Sequence, residues 1–129
     1  MKILMVCLGN ICRSPIAEGI MAAALKKHHL HGHVDSAGVL SYHSGQAPDK
    51  RAIRISKDHQ IDISSQLARQ VKRSDFDEFD FIFTMDRSVH DSITAMAPSD
   101  SYRKKVHLFL EYAGHPSGSE VPDPYYSGI

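Results

Sequence analysis

The stretch Lys2-Ile3-Leu4-Met5-Val6-Cys7-Leu8-Gly9-Asn10-Ile11-Cys12-Arg13-Ser14-Pro15 decides how this chain is read. Ile3 to Val6 is a continuous apolar run, the mark of a strand covered on both faces. Leu8 to Ser14 reads as a turn, and Pro15 suits the first turn of a helix. Ile16, Ala17, Ile20, Met21, Ala24 and Leu25 then recur at helical spacing, to an end near His28 before Gly32. A strand leading through a glycine-containing turn into a helix can wrap a tetrahedral oxyanion. Backbone N–H groups point inward, and the helix contributes the positive end of its dipole. Gly9 is expected to supply a backbone shape that other residues resist.

Working outward, the order of elements predicts the fold class. Val34 to Ala37 reads as a second strand, Ser41 to Pro48 as loop, and Asp49 as the cap of a helix running to about His59. Phe79 to Thr84 reads as a buried strand, and Ser88 to Ala97 as a helix through Val89, Ile93, Met96 and Ala97. Lys105 to Leu110 is a fourth strand. Gly114 to Ile129, with three prolines and three glycines, reads as loop. Strands alternating with helices imply an α/β fold: a three-layer, four-stranded parallel sheet flanked by helices. Ligands in such folds bind at the carboxyl ends of the strands, where Cys7 to Ser14 would lie.

Size and composition bound the rest. A chain of 129 residues, 42% apolar, is expected to form one domain over residues 1–129. The 15 basic and 15 acidic residues balance. That argues against nucleic acid or an anionic membrane as a partner recognised by bulk charge. No apolar run approaches the roughly 20 residues of a membrane helix. The apolar start runs into Cys7, Gly9, Asn10 and Arg13 with no small-residue cleavage site, so a first strand is a better reading than a signal peptide. The two cysteines, Cys7 and Cys12, are too close together to staple a fold, which fits a reducing, cytoplasmic location.

Five residues separate Cys7 from Arg13. Arg13 offers a planar fork matched to phosphate oxygens. The same positive field favours Cys7 as thiolate, the nucleophilic form. Ser14 can donate a hydrogen bond to its sulfur. Departure of an alkoxide or phenoxide requires a proton, and Asp123, held between Pro122 and Pro124, is the candidate acid. Tyr125 and Tyr126 beside it suit the flat face of an aromatic substrate. Plainer roles exist for each: core packing for Cys7 and Cys12, a surface charge for Arg13, a turn residue for Asp123, and local loop hydrogen bonds for Asn10 and Ser36. His28, His29, His31 and His33 cluster at a helix end, where a solvated terminus is the simpler reading than a metal site.

Cys7-Leu-Gly-Asn-Ile-Cys-Arg-Ser14 followed by Pro15-Ile-Ala-Glu18 resembles the signature of the low-molecular-weight protein tyrosine phosphatases, and Asp123-Pro-Tyr-Tyr126 resembles their general-acid loop. Asp35-Ser-Ala-Gly38, Pro48-Asp49, Ala68-Arg-Gln70 and Met85-Asp86 match in order between them. The resemblance implies a phosphotyrosine phosphatase I-like, Rossmann-like fold. It also implies hydrolysis of phosphotyrosine, in a protein or a small aryl phosphate, through a phosphocysteine. Cys7 resembles the nucleophile, Arg13 the phosphate clamp, and the N–H groups of Leu8, Gly9, Asn10, Ile11, Cys12, Arg13 and Ser14 the phosphate cradle. Asn10, Ser14 and Ser36 resemble a network holding the loop, and Asp123 the acid and then the base. Leu8, Tyr42, Tyr125 and Tyr126 resemble the pocket walls, and Cys12 a redox partner that can pair with Cys7 on oxidation. No metal or other cofactor is implied. Gln66-Leu67 stand where members often have histidine before Ala-Arg-Gln, and Val89 stands where asparagine is common. The family continues past Asp-Pro-Tyr-Tyr into a C-terminal helix, whereas this sequence ends at Ile129. The helix is therefore expected to be absent, with self-association through the surface it would cover. A thiol-linked arsenate reductase shares such a loop, but its chemistry needs further cysteines and none follows Cys12. A phosphate-binding module without turnover is the remaining alternative.

Overall fold

The computed structural model describes residues 1–116, 118 and 120. Asp123, Tyr125 and Tyr126 lie outside the described residues. The elements are β1 (Lys2–Cys7), α1 (Arg13–Lys27), β2 (His33–Gly38), α2 (Lys50–Asp58), α3 (Asp75–Glu78), β3 (Phe81–Thr84), α4 (Arg87–Met96), α5 (Asp100–Arg103), β4 (Val106–Leu108) and α6 (Phe109–Tyr112). The four strands form one parallel sheet in the order β2-β1-β3-β4.

The apolar run in β1 is explained by its position. It pairs with β2 on one side and β3 on the other, and each face is covered. Leu4 and Val6 enter a core with Phe76, Phe79, Val89 and Ile93, from the α3 and α4 side. Ile3, Met5 and Cys7 enter a second core with Ala17 of α1. Leu4, Met5 and Val6 are fully buried, each worth roughly 1.5–3 kcal/mol of transfer free energy. Strand order reverses at β1, since β2 follows it on one side and β3 on the other. Cys7, in register with Gly38, thus ends the strand at the switch point of the sheet, where such folds open a crevice.

The structure corrects several boundaries. β3 begins at Phe81 rather than Phe79. Phe79 closes the single turn of α3, and its ring is buried in the core without its backbone entering a strand. β4 ends at Leu108, and Phe109–Tyr112 turns into α6. α1 begins at Arg13, so Pro15 stands at its third position, still within the turn whose N–H groups have no intrahelical partner. The stripe on α1 is not fully covered: Ala17 and Leu25 are buried, while Ile20 is 53% exposed. Ile20 lines a largely apolar cavity of about 220 Å³ with Met21, Met85, Phe109 and Leu110, next to Arg13. Asp49 caps α2 as expected, its carboxylate accepting the Arg51 N–H at 2.9 Å. Among the described residues no helix is long and apolar enough to cross a membrane, and no group of three or more His, Cys, Asp or Glu is placed to hold a metal ion.

Candidate active site

The loop between β1 and α1 is fixed from four directions. Leu40 N–H bonds the Leu8 carbonyl at 2.9 Å, and Asp49 N–H bonds the Ile11 carbonyl at 2.7 Å, tying the start of α2 to the loop. Gly38 lies against it so closely that a Cβ there would stand 2.9 Å from the Leu8 carbonyl oxygen and 3.0 Å from the Asn10 nitrogen. A side chain at Gly38 would push backbone off backbone. The fourth fixing is Asn10. It carries a left-handed backbone, φ 58°, in a buried position, a conformation that asparagine tolerates better than most residues. The unusual conformation expected of Gly9 belongs instead to Asn10. What Gly9 provides is room, since a Cβ there would meet the His43 ring at 3.1 Å.

Cys7 is buried at the floor of this loop. Its Sγ lies 2.9 Å from Ser14 Oγ and accepts the Asn10 N–H at 3.2 Å. The Asn10 amide reaches Ser14 Oγ and Ser36 Oγ, both at 2.9 Å, and its oxygen accepts the Arg69 N–H at 3.0 Å. Asn10, Ser14 and Ser36 are thus brought together around the thiol. α1 starts immediately after the loop with no side-chain cap, leaving the positive end of its dipole beside the thiol.

Arg13 reaches across the site. Its side chain is 5% exposed, and Nη1 donates to Asp86 Oδ2 at 2.7 Å. Asp86 also caps α4, its other oxygen accepting the Val89 N–H at 2.8 Å. One carboxylate therefore starts a helix and holds the guanidinium. Sequence reasoning matched Met85-Asp86 without giving Asp86 a role. A polar residue just ahead of an amphipathic helix marks the cap, but nothing local announces the bond to Arg13.

Behind the loop, Arg69 bonds Asp75 with both terminal nitrogens at 3.0 Å and Asp35 through Nε at 3.1 Å. Burial alone would push the Arg69 guanidinium down, but Asp75 and Asp35 hold it above its ordinary value. Ser36 Oγ donates to Glu18 Oε1 at 2.7 Å. Burial raises Glu18 above the usual carboxylate range, against the Ser36 hydrogen bond. Gln66, in the place where histidine resembles the more usual choice, donates to the Pro15 carbonyl at 3.2 Å.

The outer residues are placed differently. Leu8 is half-buried and packs on the Leu4 and Val6 side of the sheet. Tyr42 is 82% exposed and meets His43 edge-on, ring centroids 4.8 Å apart. Cys12 is buried against Ile11 and Ala68, and Cys7 and Cys12 are both thiols.

A buried thiol at a sheet switch point, enclosed by a loop with an arginine at its far end, is the arrangement of a cysteine-dependent phosphatase. The comparisons agree. The model of the family described as low molecular weight phosphotyrosine protein phosphatase matches residues 2–129, and the chain belongs to that family of hydrolases. It is 42% identical to the low molecular weight phosphotyrosine protein phosphatase of Schizosaccharomyces pombe, over 98% of this chain and 82% of that protein. The crystal structure of a protein tyrosine phosphatase from Entamoeba histolytica, with Hepes in its active site, superposes with a TM-score of 0.91 at 41% identity, covering 98% of this chain and 81% of that one. A Drosophila arginine phosphatase superposes with a TM-score of 0.92 at 36% identity, covering 100% of this chain and 83% of the other.

Proposed function

We propose that Cys7 attacks the phosphorus of an aryl phosphate, in a phosphotyrosine-bearing protein or a small molecule, to form a phosphocysteine. The observation that carries this reading is the Cys7 sulfur at the loop floor, with a serine hydroxyl at 2.9 Å and a backbone N–H at 3.2 Å. Both donors favour the thiolate, as nucleophile and later as leaving group. The loop N–H groups and Arg13 take the phosphoryl oxygens, and Asp86 sets the direction from which the guanidinium approaches. Asp123 protonates the departing phenoxide, then takes a proton from the water that hydrolyses the phosphocysteine. The sulfur returns as thiolate and inorganic phosphate leaves. Leu8, Tyr42, Tyr125 and Tyr126 form the walls for the ring. The enzyme acts in the cytoplasm, where Cys7 stays reduced. Peroxide converts Cys7 to a sulfenic acid, which condenses with the Cys12 thiol to a disulfide and water, and a thiol reductant restores both.

The test is hydrolysis of para-nitrophenyl phosphate, phosphotyrosine peptide and phosphoarginine by the parent and by Cys7→Ser. Turnover of the aryl substrates with a loss of about 10⁴-fold or more in Cys7→Ser is expected. Undiminished turnover in the variant would sink the assignment. Phosphate binding without turnover in the parent would make this a binding module, and preferred cleavage of phosphoarginine would move the substrate class. Replacing Asp123 with Ala should slow poor leaving groups by about 10²-fold or more, and good ones far less.

A further inference from the structure

The hydrogen bonds around Cys7 have a direction, and it can be traced from one fixed donor. A backbone N–H only donates, so the Arg69 N–H at 3.0 Å identifies the Asn10 atom facing it as the oxygen. The Asn10 NH2 then supplies both of its hydrogens, one to Ser14 Oγ and one to Ser36 Oγ, each at 2.9 Å. Each serine oxygen is an acceptor toward Asn10 and must send its own hydrogen elsewhere. For Ser14 the remaining partner is Cys7 Sγ at 2.9 Å. For Ser36 it is Glu18 Oε1 at 2.7 Å. Glu18 makes no other side-chain hydrogen bond among the described residues, since the Gln66 amide goes to the Pro15 carbonyl. It stands on α1, four residues after Ser14, one turn further along the helix.

We infer that Glu18 is a positioning residue for the reaction at Cys7: by accepting the Ser36 hydroxyl it fixes the polarity of the chain Glu18–Ser36–Asn10–Ser14, so that the Ser14 O–H points at the sulfur. The inference rests on Cys7 being the nucleophile. With no acceptor at position 18, the Ser36 hydrogen has no fixed direction and the Asn10 amide loses its anchor on the β2 side. Ser14 is then free to present a lone pair to the sulfur instead of its hydrogen, which opposes the thiolate. The groups acting on Glu18 besides Ser36 are Asp35, which raises it, and His33 and Arg69, which lower it, all weaker than burial. A half-buried carboxylate kept against that burial fits an acceptor used for its direction.

The discriminating pair is Glu18→Ala and Glu18→Gln, because glutamine keeps a carbonyl acceptor and loses the charge. Two readouts are taken on folded protein: the rate of Cys7 carboxymethylation by iodoacetate at pH 6, followed on the Cys7 peptide, and kcat and KM for para-nitrophenyl phosphate. Glu18→Ala should slow alkylation and lower kcat together by about three- to tenfold, the range of one hydrogen bond, with KM within about twofold. Glu18→Gln should stay within about twofold of the parent in both. Equal losses in the two variants would overturn the inference in favour of a charge effect, as would an alanine variant with unchanged alkylation. Ser36→Ala breaks the chain one link earlier and leaves α1 intact, so it should reproduce the alanine result. The double replacement should lose no more, and additive losses would overturn the shared chain. Alkylation needs no turnover, so these outcomes remain readable even if the phosphatase assay fails.

Discussion

The floor and the wall of the site are built on opposite principles. At the floor, Cys7, Asn10, Ser14 and Ser36 are buried, and their polar atoms are joined in one hydrogen-bonded network. At the wall, Tyr42 stands 82% exposed, and its ring partner is the neighbouring His43. Buried polar groups demand fixed partners, so the floor has one low-energy arrangement and holds the thiol in it. An exposed ring carries no such demand and can move with what it contacts. The chemistry therefore resides where replacement costs stability, and selectivity where it does not. Each of the following replacements tests that division, from the largest effect downward.

Arg69→Ala should be the most damaging. Asp75 has a fully buried side chain, and Arg69 is its bidentate partner. Removing the guanidinium strands a buried carboxylate, at a cost of about 3–5 kcal/mol in urea unfolding. It also releases the segment whose N–H orients Asn10. A loss below about 1 kcal/mol would show that the floor is not held from behind. Asn10→Ala comes next, at about 2–4 kcal/mol, from three side-chain hydrogen bonds and a β-carbon at φ 58°. Asn10→Gly keeps the backbone comfortable and loses only the bonds. A glycine variant more stable than the alanine one, with kcat equally reduced, separates strain from network.

How far this division could be read from the sequence depends on where each signal lies. β1 was legible because Ile3 to Val6 must be apolar throughout when both faces are covered. The loop was legible because its chemistry is contiguous, Cys7 to Ser14. The start of β3 was not, because an apolar residue says only that it is buried, and Phe79 is buried from a turn rather than a strand. α6 was hidden in the same way, since Phe109 and Leu110 extend the apolar run of β4. Gly9 drew the conformational argument that belongs to Asn10, because asparagine's tolerance of positive φ is the weaker sequence signal. Asp86 was out of reach for another reason: its bond to Arg13 spans 73 positions.

That bond gives the third test. Asp86→Ser keeps an oxygen to cap α4 and removes the carboxylate that holds Arg13. Stability should fall by less than about 1 kcal/mol, while the inhibition constant of inorganic phosphate rises about five- to tenfold, the worth of a charge-assisted hydrogen bond in placing the fork. An unchanged inhibition constant would mean that the loop alone places Arg13.

The fourth concerns what the floor costs. Glu18 is raised by burial above its ordinary value of 4.5, so the folded chain binds its proton more tightly than the unfolded one. Its stabilising contribution is complete below that ordinary value and is lost as pH rises through the raised one. Glu18→Gln should therefore be more stable than the parent at pH 7 and show no such gain below pH 4.5. A gain of equal size at both ends of the range would assign it to packing instead of ionisation.

Tyr42→Ala should be the mildest. No partner inside the fold is lost except the edge contact with His43, so unfolding should shift by less than about 0.5 kcal/mol. If the ring forms part of the wall for an aryl substrate, KM for a phosphotyrosine peptide should rise about three- to tenfold, the worth of one aromatic contact, with kcat little changed. Tyr42→Phe should restore KM, because the ring face and not the hydroxyl makes the contact. A fall in kcat at constant KM would place Tyr42 with the floor, and the division between fixed chemistry and mobile selectivity would fail at the residue where it is drawn most sharply.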